Sequence, residues 1–547
     1  MKKTILIGGK AGQGIDKTAT FLGRILSNVG YYSFIYRDYP SLIRGGHNFD
    51  VLTFSDQPVY SHEDEYDIIM ALDQETVSRH EKDLKKKGFI VGEEKIENKK
   101  VKKVNLQNYL SSADGPRVLG NNVLIGALVK EWGVPLKEVS EAAADEFSSQ
   151  TAKTVIEGVK AGYEQKKEEE KITLFDKKDL YFFNGSQGVA RGAVAGGLDV
   201  YFAYPMTPAT GVLHELAKHQ KEDDILVSQV GNEIAVANAA LGSSYTGAQT
   251  MLGTSGGGFA LMSEAMSLAG MAELPLVAYL AQRTSPASGV PTYSSQGDLK
   301  FALNVGHGEF PRIVVASGDP EEAFQRTQEA FYLAAKYNTL AILMSDKHIA
   351  ESYYSFEKIK ESRVKNNDFV VKEPAQDYQS YRVTEDGVSP RAVPGQGPFV
   401  RANSYEHDEY GYTTEEAEMT TEMNDKRWRK AAALKKDVLK LDPVQTYGQG
   451  SKLLVGWGST KGALRDVVAE KDNYRFLQIS YIEPFPAKEV KKELEKAEQV
   501  ILVENNVTGL LGQVIREKTG FLIKDKILRY DARPFTANYI ISKLKQL

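Results

Sequence analysis

The sequence predicts an α/β protein built from three successive, doubly wound units. Short apolar runs alternate with helix-length segments in three separate stretches of the chain, which is typical of strands joined by helical crossovers. Glycine-rich turns follow several of these runs, at the positions where open α/β sheets bind their ligands. The 547 residues also exceed what one core fills, because domains ordinarily contain about 100–200 residues.

The composition is that of a globular chain. Hydrophobic residues make up 42% and charged residues 26%, and the mean hydropathy of −0.36 excludes a disordered or collagen-like chain. No apolar run approaches the ~18 residues of a membrane span, and the N-terminal MKKTILIGGKAGQG favours a first strand over a signal peptide. A net charge of −5 gives no reason to expect nucleic acid as a partner.

The chain contains no cysteine. This fits a reducing, cytoplasmic location. It also excludes a cysteine nucleophile, a thiolate zinc site and a cysteine-ligated iron–sulfur cluster within this chain. Any iron–sulfur chemistry therefore belongs to a partner.

The first unit is predicted to span residues 1–170. A strand over 1–8 precedes a helix over 17–28, and further strands are expected at 33–36, 51–54 and 67–71 in a mainly parallel sheet. The charge run KKEEEK at 166–171 is interpreted as a linker, with a solvated helix end as the alternative.

The second unit is predicted over residues 178–350 and the third over 446–547. The second begins with a glycine-rich helix (185–197), in which the glycines indicate close helix packing. Strands follow at 200–204, 226–229, 249–253, 276–280, 312–315 and 341–345, and in the third unit at 453–456, 476–479, 500–503 and 527–530. Residues 351–445 show no steady periodicity and are interpreted as an irregular connecting arm.

The first glycine-rich turn, with Gly9, Gly12 and Gly14, joins a strand to a helix. Converging backbone N–H groups at a helix N-terminus favour a phosphate, but an unliganded tight turn fits equally well. Ile15 stands where a P-loop needs lysine, so an ATPase is disfavoured, and no third glycine completes a dinucleotide fingerprint. Arg44 lies in the turn RGGH and is a further candidate phosphate contact. An ordinary surface turn without a ligand fits this segment equally well.

Four segments of the second unit follow predicted strands and carry the candidate chemistry: YPMTPAT (204–210), SQVGNE (228–233), GTSGGG (253–258) and AQRTSPASGVPT (281–292). Glu233 lies in a first helical turn, where plain helix electrostatics is the simpler interpretation. Arg283 offers the fork geometry that holds a carboxylate, with a surface salt bridge as the alternative.

These four motifs resemble the alpha subunit of 2-oxoacid:ferredoxin oxidoreductases, in particular YPMTPAT, QVGNEIAVANAALG, TSGGGFALMSEAMSLAGMAELPLV and QRTSPASGVPT. The first ~170 residues, with AGQGID and SLIRGGHNFDVLTFSDQPVY, resemble the gamma domain of that family. SYEHDEYG (404–411) and VENN (503–506) resemble the fused, 2-oxoglutarate type. The resemblance implies a Rossmann-like gamma domain, a pyrimidine-binding domain for thiamine diphosphate and a transketolase-like C-terminal domain.

The resemblance also implies roles for individual residues. Glu233 is expected to hydrogen-bond the aminopyrimidine of thiamine diphosphate, and Arg283 the 2-oxoacid carboxylate, with Thr207 close to both. The implied cofactor contacts are Tyr204, Pro205, Thr207, Glu233, Thr254, Ser255 and Gly256. Gly9, Gly12, Gly14 and Arg44 are the candidate coenzyme A or phosphate contacts. No metal ligand is predicted.

The chain lacks the Gly-Asp-Gly motif through which such enzymes bind diphosphate and magnesium. A beta subunit is therefore expected to supply Mg²⁺, the [4Fe-4S] cluster and half of the active site, in an αβ or (αβ)₂ assembly. The implied reaction is oxidative decarboxylation of 2-oxoglutarate with coenzyme A, which yields succinyl-CoA, CO₂ and reduced ferredoxin.

Three questions stay open at this stage. Pyruvate or a branched-chain 2-oxoacid is the alternative substrate, and a non-catalytic scaffold that binds coenzyme A or a nucleotide is the alternative function. Lys461, Arg44 and the pair Ser294–Ser295 are unranked candidates for a distal substrate carboxylate.

Overall fold

The computed structural model describes residues 1–40, 46–112, 119–176, 178–357, 359, 363–364 and 369–547. Its strands are β1 (Lys2–Lys10), β2 (Tyr32–Asp38), β3 (His47–Ser55), β4 (Tyr66–Ala71), β5 (Leu84–Glu93), β6 (Val101–Val104), β7 (Tyr181–Asn184), β8 (Val200–Ala203), β9 (Leu226–Gln229), β10 (Thr250–Thr254), β11 (Leu276–Gln282), β12 (Arg312–Ala316), β13 (Leu340–Asp346), β14 (Tyr353–Phe356), β15 (Val444–Gly448), β16 (Lys452–Gly456), β17 (Tyr474–Ile479), β18 (Tyr481–Glu483), β19 (Gln499–Glu504) and β20 (Asp525–Leu528).

The helices are α1 (Ile15–Asn28), α2 (Gln74–His80), α3 (Gln107–Ser112), α4 (Gly120–Glu131), α5 (Leu136–Glu146), α6 (Ser149–Tyr163), α7 (Gly185–Ala195), α8 (Thr210–His219), α9 (Glu233–Tyr245), α10 (Gly256–Leu261), α11 (Ser263–Met271), α12 (Leu299–Leu303), α13 (Pro320–Tyr337), α14 (Lys347–Glu351), α15 (Ala417–Val438), α16 (Thr460–Glu470), α17 (Ala487–Glu495), α18 (Leu510–Thr519) and α19 (Ala537–Leu544). Within the described ranges, none of these helices has the length and apolar character needed to cross a membrane.

The chain forms two compact units. The first contains residues 1–183, 352–359 and 536–542, and the second contains 184–351, 360–535 and 543–547. The predicted α/β class with several parallel sheets is confirmed. The predicted domain boundaries remain a proposal.

The sheet of the first unit is mixed rather than mainly parallel. Its strand order is β6-β5-β4-β1-β3-β2-β14-β7. The pairs β1–β4, β4–β5 and β5–β6 are parallel, whereas β3 is antiparallel to both β1 and β2. The segment between β2 and β3 is too short for a crossover, because parallel strands need a connection of about a dozen residues or more.

The second unit contains two sheets, ordered β18-β12-β13-β11-β10-β8-β9 and β15-β17-β16-β19-β20. The strands from β9 to β12 in the first of these sheets run parallel. One apolar core joins the two sheets, with Leu280 and Met344 from one and Trp457 and Leu477 from the other. The site described below lies in this unit.

Helix α7 confirms the close packing predicted from its glycines. Asn184 and Gln187 form a capping box at its start. A Cβ atom at Gly188 would lie 2.4 Å from the carbonyl oxygen of Pro320, and one at Gly192 would lie 2.4 Å from that of Phe324. The glycines therefore allow α7 to lie directly on α13.

Helix α15 was not predicted, because it lies within the segment interpreted as irregular. Its 22 residues bury a face that includes Lys426 and Lys430 beside Met423 and Leu434. Basic residues on the buried face hide the apolar periodicity from which a helix is recognised. Their charges are balanced by Glu273, which lies 2.5 Å from Lys426 and 2.6 Å from Lys430.

We expect Glu273→Gln to lower the free energy of unfolding by about 3–5 kcal/mol, because it leaves two buried ammonium groups without an anion. Burial alone would raise the pKa of Glu273, but the two lysines hold it at about 2. The stabilisation is therefore present above the ordinary glutamate pKa and is lost as the pH falls through about 2. Thermal unfolding tests this. Glu422→Gln, on an exposed position of α15, is the control, and equal midpoints for the two variants would contradict the prediction.

Candidate active site

Four neighbouring parallel strands end at one edge of the central sheet. Ala203 of β8 is paired in register with Gln229 of β9 and with Gly253 of β10, and Thr254 is paired with Leu280 of β11. Because parallel strands share their carboxyl edge, the segments that follow them meet there. This edge therefore brings together all the site residues predicted in the second unit.

Glu233 is the first residue of α9. The side chain of Asn232 caps this helix by accepting the N–H of Ala235 at 2.9 Å. The Glu233 side chain is 6% exposed and lies against Gly258. A Cβ atom at Gly258 would come within 2.8 Å of Glu233 Cγ and within 2.2 Å of Thr254 Oγ1. Only glycine at 258 leaves room for these two side chains.

Thr254 and Ser255 lie between the strand end and α10. Both are fully buried, and Thr254 Oγ1 lies 4.0 Å from the sulfur of Met206. Ser255 precedes α10, yet its hydroxyl does not cap that helix, and its buried Oγ has no hydrogen-bond partner among the residues that the structure describes. A buried hydroxyl without a partner is costly, so this position suits a polar ligand atom.

The 204–210 segment contributes a backbone acceptor as well as side chains. Nη1 of Arg283 donates to the carbonyl oxygen of Thr207 at 2.9 Å. Tyr204 is 39% exposed, and the neighbouring Pro205 is also exposed. The structure thus joins Arg283 to the YPMTPAT segment through one guanidinium N–H, which leaves other donors of the fork for a ligand.

The electrostatics of Arg283 involve Asp298, which the motifs did not reveal. Burial lowers the pKa of Arg283, and the nearby Asp298 opposes that effect. Burial raises the pKa of Asp298 to about 6, although Arg283 acts in the opposite direction. In the sequence, Asp298 looks the same as an aspartate that only caps a helix.

Two glutamines, also missed in the sequence, anchor the segment from Arg283 to Asp298. Gln282 accepts the N–H of Asp298 at 3.0 Å and donates to the carbonyl of Ser345. Gln296 is fully buried. It donates to the carbonyl of Trp457 at 2.8 Å and accepts the N–H of Asn505 at 2.9 Å. The VENN motif thus ties the site loop to the C-terminal sheet.

A cavity of about 240 Å³ adjoins this loop, and its lining includes Thr284, Ser285, Ser294, Ser295, Asn505 and Thr508. The Ser294 hydroxyl accepts the N–H of His348 at 3.3 Å, and that of Ser295 donates to the carbonyl of Asn505 at 3.3 Å. Both serines reach the cavity, but neither is accompanied there by a cationic side chain.

Lys461 is not available to a substrate carboxylate. It is 4% exposed, and its Nζ lies 2.5 Å from Asp319 and 2.7 Å from Glu322. Its positive charge is therefore neutralised by these two carboxylates. The expectation that it could bind a distal carboxylate is wrong. Arg44, the other cationic candidate, lies outside the described residues.

The side chain of Gln13 partly fills the glycine-rich turn of the first unit. Oε1 of Gln13 accepts the N–H of Lys10 at 2.7 Å, and a Cβ atom at Gly9 would lie 2.3 Å from that oxygen. Gly12 and Gly14 have left-handed φ values of 88° and 73°. Gly12 faces open space, so the outer part of the turn is accessible to a ligand.

Among the residues that the structure describes, no cluster of three or more histidine, aspartate or glutamate side chains could hold a metal ion.

Two family models and a relative aligned over its full length match this chain. Residues 191–426 match the family model "Pyruvate flavodoxin/ferredoxin oxidoreductase, thiamine diP-bdg", and residues 4–165 match "Pyruvate ferredoxin/flavodoxin oxidoreductase". The 2-oxoacid:ferredoxin oxidoreductase subunit alpha of Saccharolobus solfataricus is 31% identical, and the alignment covers 100% of this chain and 98% of the relative.

The names of two further similar proteins include the substrate 2-oxoglutarate. The 2-oxoglutarate synthase subunit KorA of Methanothermobacter thermautotrophicus is 28% identical over 62% of this chain and 91% of its own. A solved 2-oxoglutarate:ferredoxin oxidoreductase from Magnetococcus marinus, with 2-oxoglutarate, coenzyme A and succinyl-CoA bound, is 26% identical. It covers 100% of this chain and 99% of its own, with a TM-score of 0.90.

The family expected from the motifs is confirmed by relatives that span the full length. The chain belongs to the 2-oxoacid:ferredoxin oxidoreductase family, as an alpha subunit.

Proposed function

We propose that this chain provides the pyrimidine-binding half of a thiamine diphosphate site that oxidatively decarboxylates 2-oxoglutarate. The products are succinyl-CoA, CO₂ and reduced ferredoxin. The observation that carries the proposal is the placement of Glu233 and Arg283 at one sheet edge. A buried carboxylate and a guanidinium at the same sheet edge match the two tasks of the reaction, which are cofactor activation and carboxylate binding.

The residues at this edge fit the cofactor. The partnerless hydroxyl of Ser255 and the side chain of Glu233 offer polar contacts to an aminopyrimidine. When bound, thiamine diphosphate supplies the carbon nucleophile and the electron sink for decarboxylation. Glu233 would hold a proton at the pyrimidine ring nitrogen of the bound cofactor. Thr207, Tyr204 and Pro205 would provide further contacts to the cofactor.

Arg283 orients the substrate in this proposal. Its bond to the Thr207 carbonyl fixes one edge of the guanidinium. The remaining N–H donors can hold the 2-oxoacid carboxylate in a bidentate arrangement. A scaffold that only binds coenzyme A or a nucleotide would need neither Arg283 nor a buried Glu233 at this sheet edge.

A beta subunit would complete the site. Apolar side chains are exposed next to it, since Ile234 of α9 is 53% exposed and Leu261 of α10 is 55% exposed. Exposed apolar surface around a site favours a protein partner. The absence of a Gly-Asp-Gly motif in the sequence supports a partner that brings Mg²⁺, the diphosphate contacts and the [4Fe-4S] cluster that reduces ferredoxin.

The proposal also assigns a substrate and a coenzyme A contact. The names of the KorA relative and the Magnetococcus marinus structure favour 2-oxoglutarate, with pyruvate or a branched-chain 2-oxoacid as the alternative. For the phosphates of coenzyme A we propose the accessible part of the glycine turn, at Gly12 and Gly14, together with Arg44.

The purified complex of this chain with its beta subunit should reduce a viologen in a coenzyme A-dependent reaction, with the highest kcat/KM on 2-oxoglutarate. Arg283→Ala should lower that kcat/KM by about 100-fold, because a charged hydrogen bond contributes about 1.5–3 kcal/mol. The assay is anaerobic and compares 2-oxoglutarate with pyruvate and 2-oxoisovalerate.

Arg516→Ala, on an exposed position of α18, is the matched control and should retain full activity. A preferred pyruvate would replace the substrate assignment. An Arg283→Ala complex with unchanged kcat/KM would remove Arg283 from the proposal.

Gly258→Ala should abolish activity at limiting thiamine diphosphate and raise the cofactor concentration needed for half-maximal rate at least tenfold, because its methyl group would displace Glu233. Gly257→Ala is the neighbouring control, since a Cβ atom there meets nothing within 4 Å. It should keep full activity and stabilise the helix by about 0.5–1 kcal/mol. Equal cofactor requirements for the two variants would show that Gly258 does not seat Glu233.

A further inference from the structure

The site contains a second carboxylate, Asp298, which is partly buried. It immediately precedes α12, a position at which aspartate usually accepts an N–H of its own helix. Here the side chain caps nothing. Instead, the N–H of Asp298 donates to Gln282 Oε1 at 3.0 Å, so the backbone is held by the neighbouring strand while the carboxylate turns away from α12.

The carboxylate lies on Gly256. A Cβ atom at that glycine would come within 2.5 Å of Asp298 Oδ2 and within 3.1 Å of Oδ1. Oδ2 is buried and has no hydrogen-bond partner in the described part of the chain. Because a buried anionic oxygen without a partner is costly, it requires a nearby cation, a proton or a ligand that donates to it.

Among the described charged groups on the neighbouring elements, only Arg283 acts on the charge of Asp298. Arg283, at the end of β11, is the one whose charge acts on it, and burial together with Arg283 gives Asp298 a pKa of about 6. No ion pair within 4 Å joins the two side chains in the described part of the chain. Lys300 on α12 and Arg516 on α18 are exposed, and Glu233 lies on the other end of the glycine turn, at Gly258.

We infer that Asp298 is a positioning residue that controls the charge Arg283 presents to the substrate, so that the substrate carboxylate binds together with one proton. The inference rests on the proposed function, in which Arg283 binds that carboxylate. Two anions then share one guanidinium, and their repulsion is relieved when Asp298 takes up a proton from solvent. One proton is gained per substrate anion, and no bond in the substrate changes.

The pH dependence of KM tests this inference in the αβ complex. In the wild type, KM for the 2-oxoacid should rise towards tenfold per pH unit above about pH 6, because the binding-competent form becomes rarer. In Asp298→Asn, KM should be independent of pH and lower than in the wild type at pH 8. Asp472→Asn, an exposed position after α16, is the control and should follow the wild-type profile.

The outcomes separate this inference from the proposed function. If Arg283→Ala leaves KM unchanged, the proposed role of Arg283 fails. If Arg283→Ala raises KM but Asp298→Asn keeps the wild-type pH slope, only the inference about Asp298 is overturned. A pH slope that persists cannot come from a general structural defect.

A second measurement needs no variant at Asp298. The wild-type complex is titrated with oxamate, a 2-oxoacid analogue that does not decarboxylate, by calorimetry at pH 8 in two buffers of different ionisation enthalpy. The inference predicts the uptake of about one proton per oxamate bound. Binding with no proton uptake would overturn it.

Discussion

The active-site edge depends on how closely side chains can approach the backbone of one glycine turn. Glu233 lies on Gly258, and Asp298 lies on Gly256, in each case at distances that any Cβ atom would prevent. Gly257, between them, faces open space. The positions of both carboxylates thus depend on the absence of a side chain at Gly256 and Gly258.

Some other buried charged side chains in the same unit are paired with groups of opposite charge. Glu273 is paired with Lys426 and Lys430, and Lys461 with two carboxylates, so these clusters carry their own counter-ions. In the described residues no cation lies within 4 Å of Glu233 or Asp298. Carboxylates at one sheet edge without a cation paired to them in the described residues are characteristic of a functional site.

Much of this arrangement follows from local sequence. The apolar runs predicted the strands of the two sheets in the second unit except β15 and β18, and the topology of a parallel sheet then brings the predicted segments to one edge. The helix α15 could not be predicted, because Lys426 and Lys430 occupy its buried face. The mixed sheet of the first unit was also missed, although the short segment between β2 and β3 already indicated an antiparallel pair.

Residues of the candidate site could be picked out in the sequence where they stand in long motifs. Single polar residues whose role depends on contacts with distant parts of the chain could not. Glu233 and Arg283 stand in such motifs. Asp298, Gln282 and Gln296 do not, and their roles depend on partners as distant in sequence as Trp457 and Asn505. Lys461 illustrates the opposite error, because a lysine in the sequence carries no sign that Asp319 and Glu322 will neutralise it.

The central claim is that the Glu233 carboxylate activates the cofactor. It is tested most directly by hydrogen–deuterium exchange at the thiazolium C2 of thiamine diphosphate bound to the αβ complex, without substrate. The account predicts that exchange is accelerated in the wild type by at least about 100-fold over free cofactor, as expected for acid–base catalysis. Glu233→Gln should return exchange to the rate of free cofactor, while Glu470→Gln, an exposed control, should not. Undiminished exchange in a Glu233→Gln complex that retains the cofactor would contradict the account.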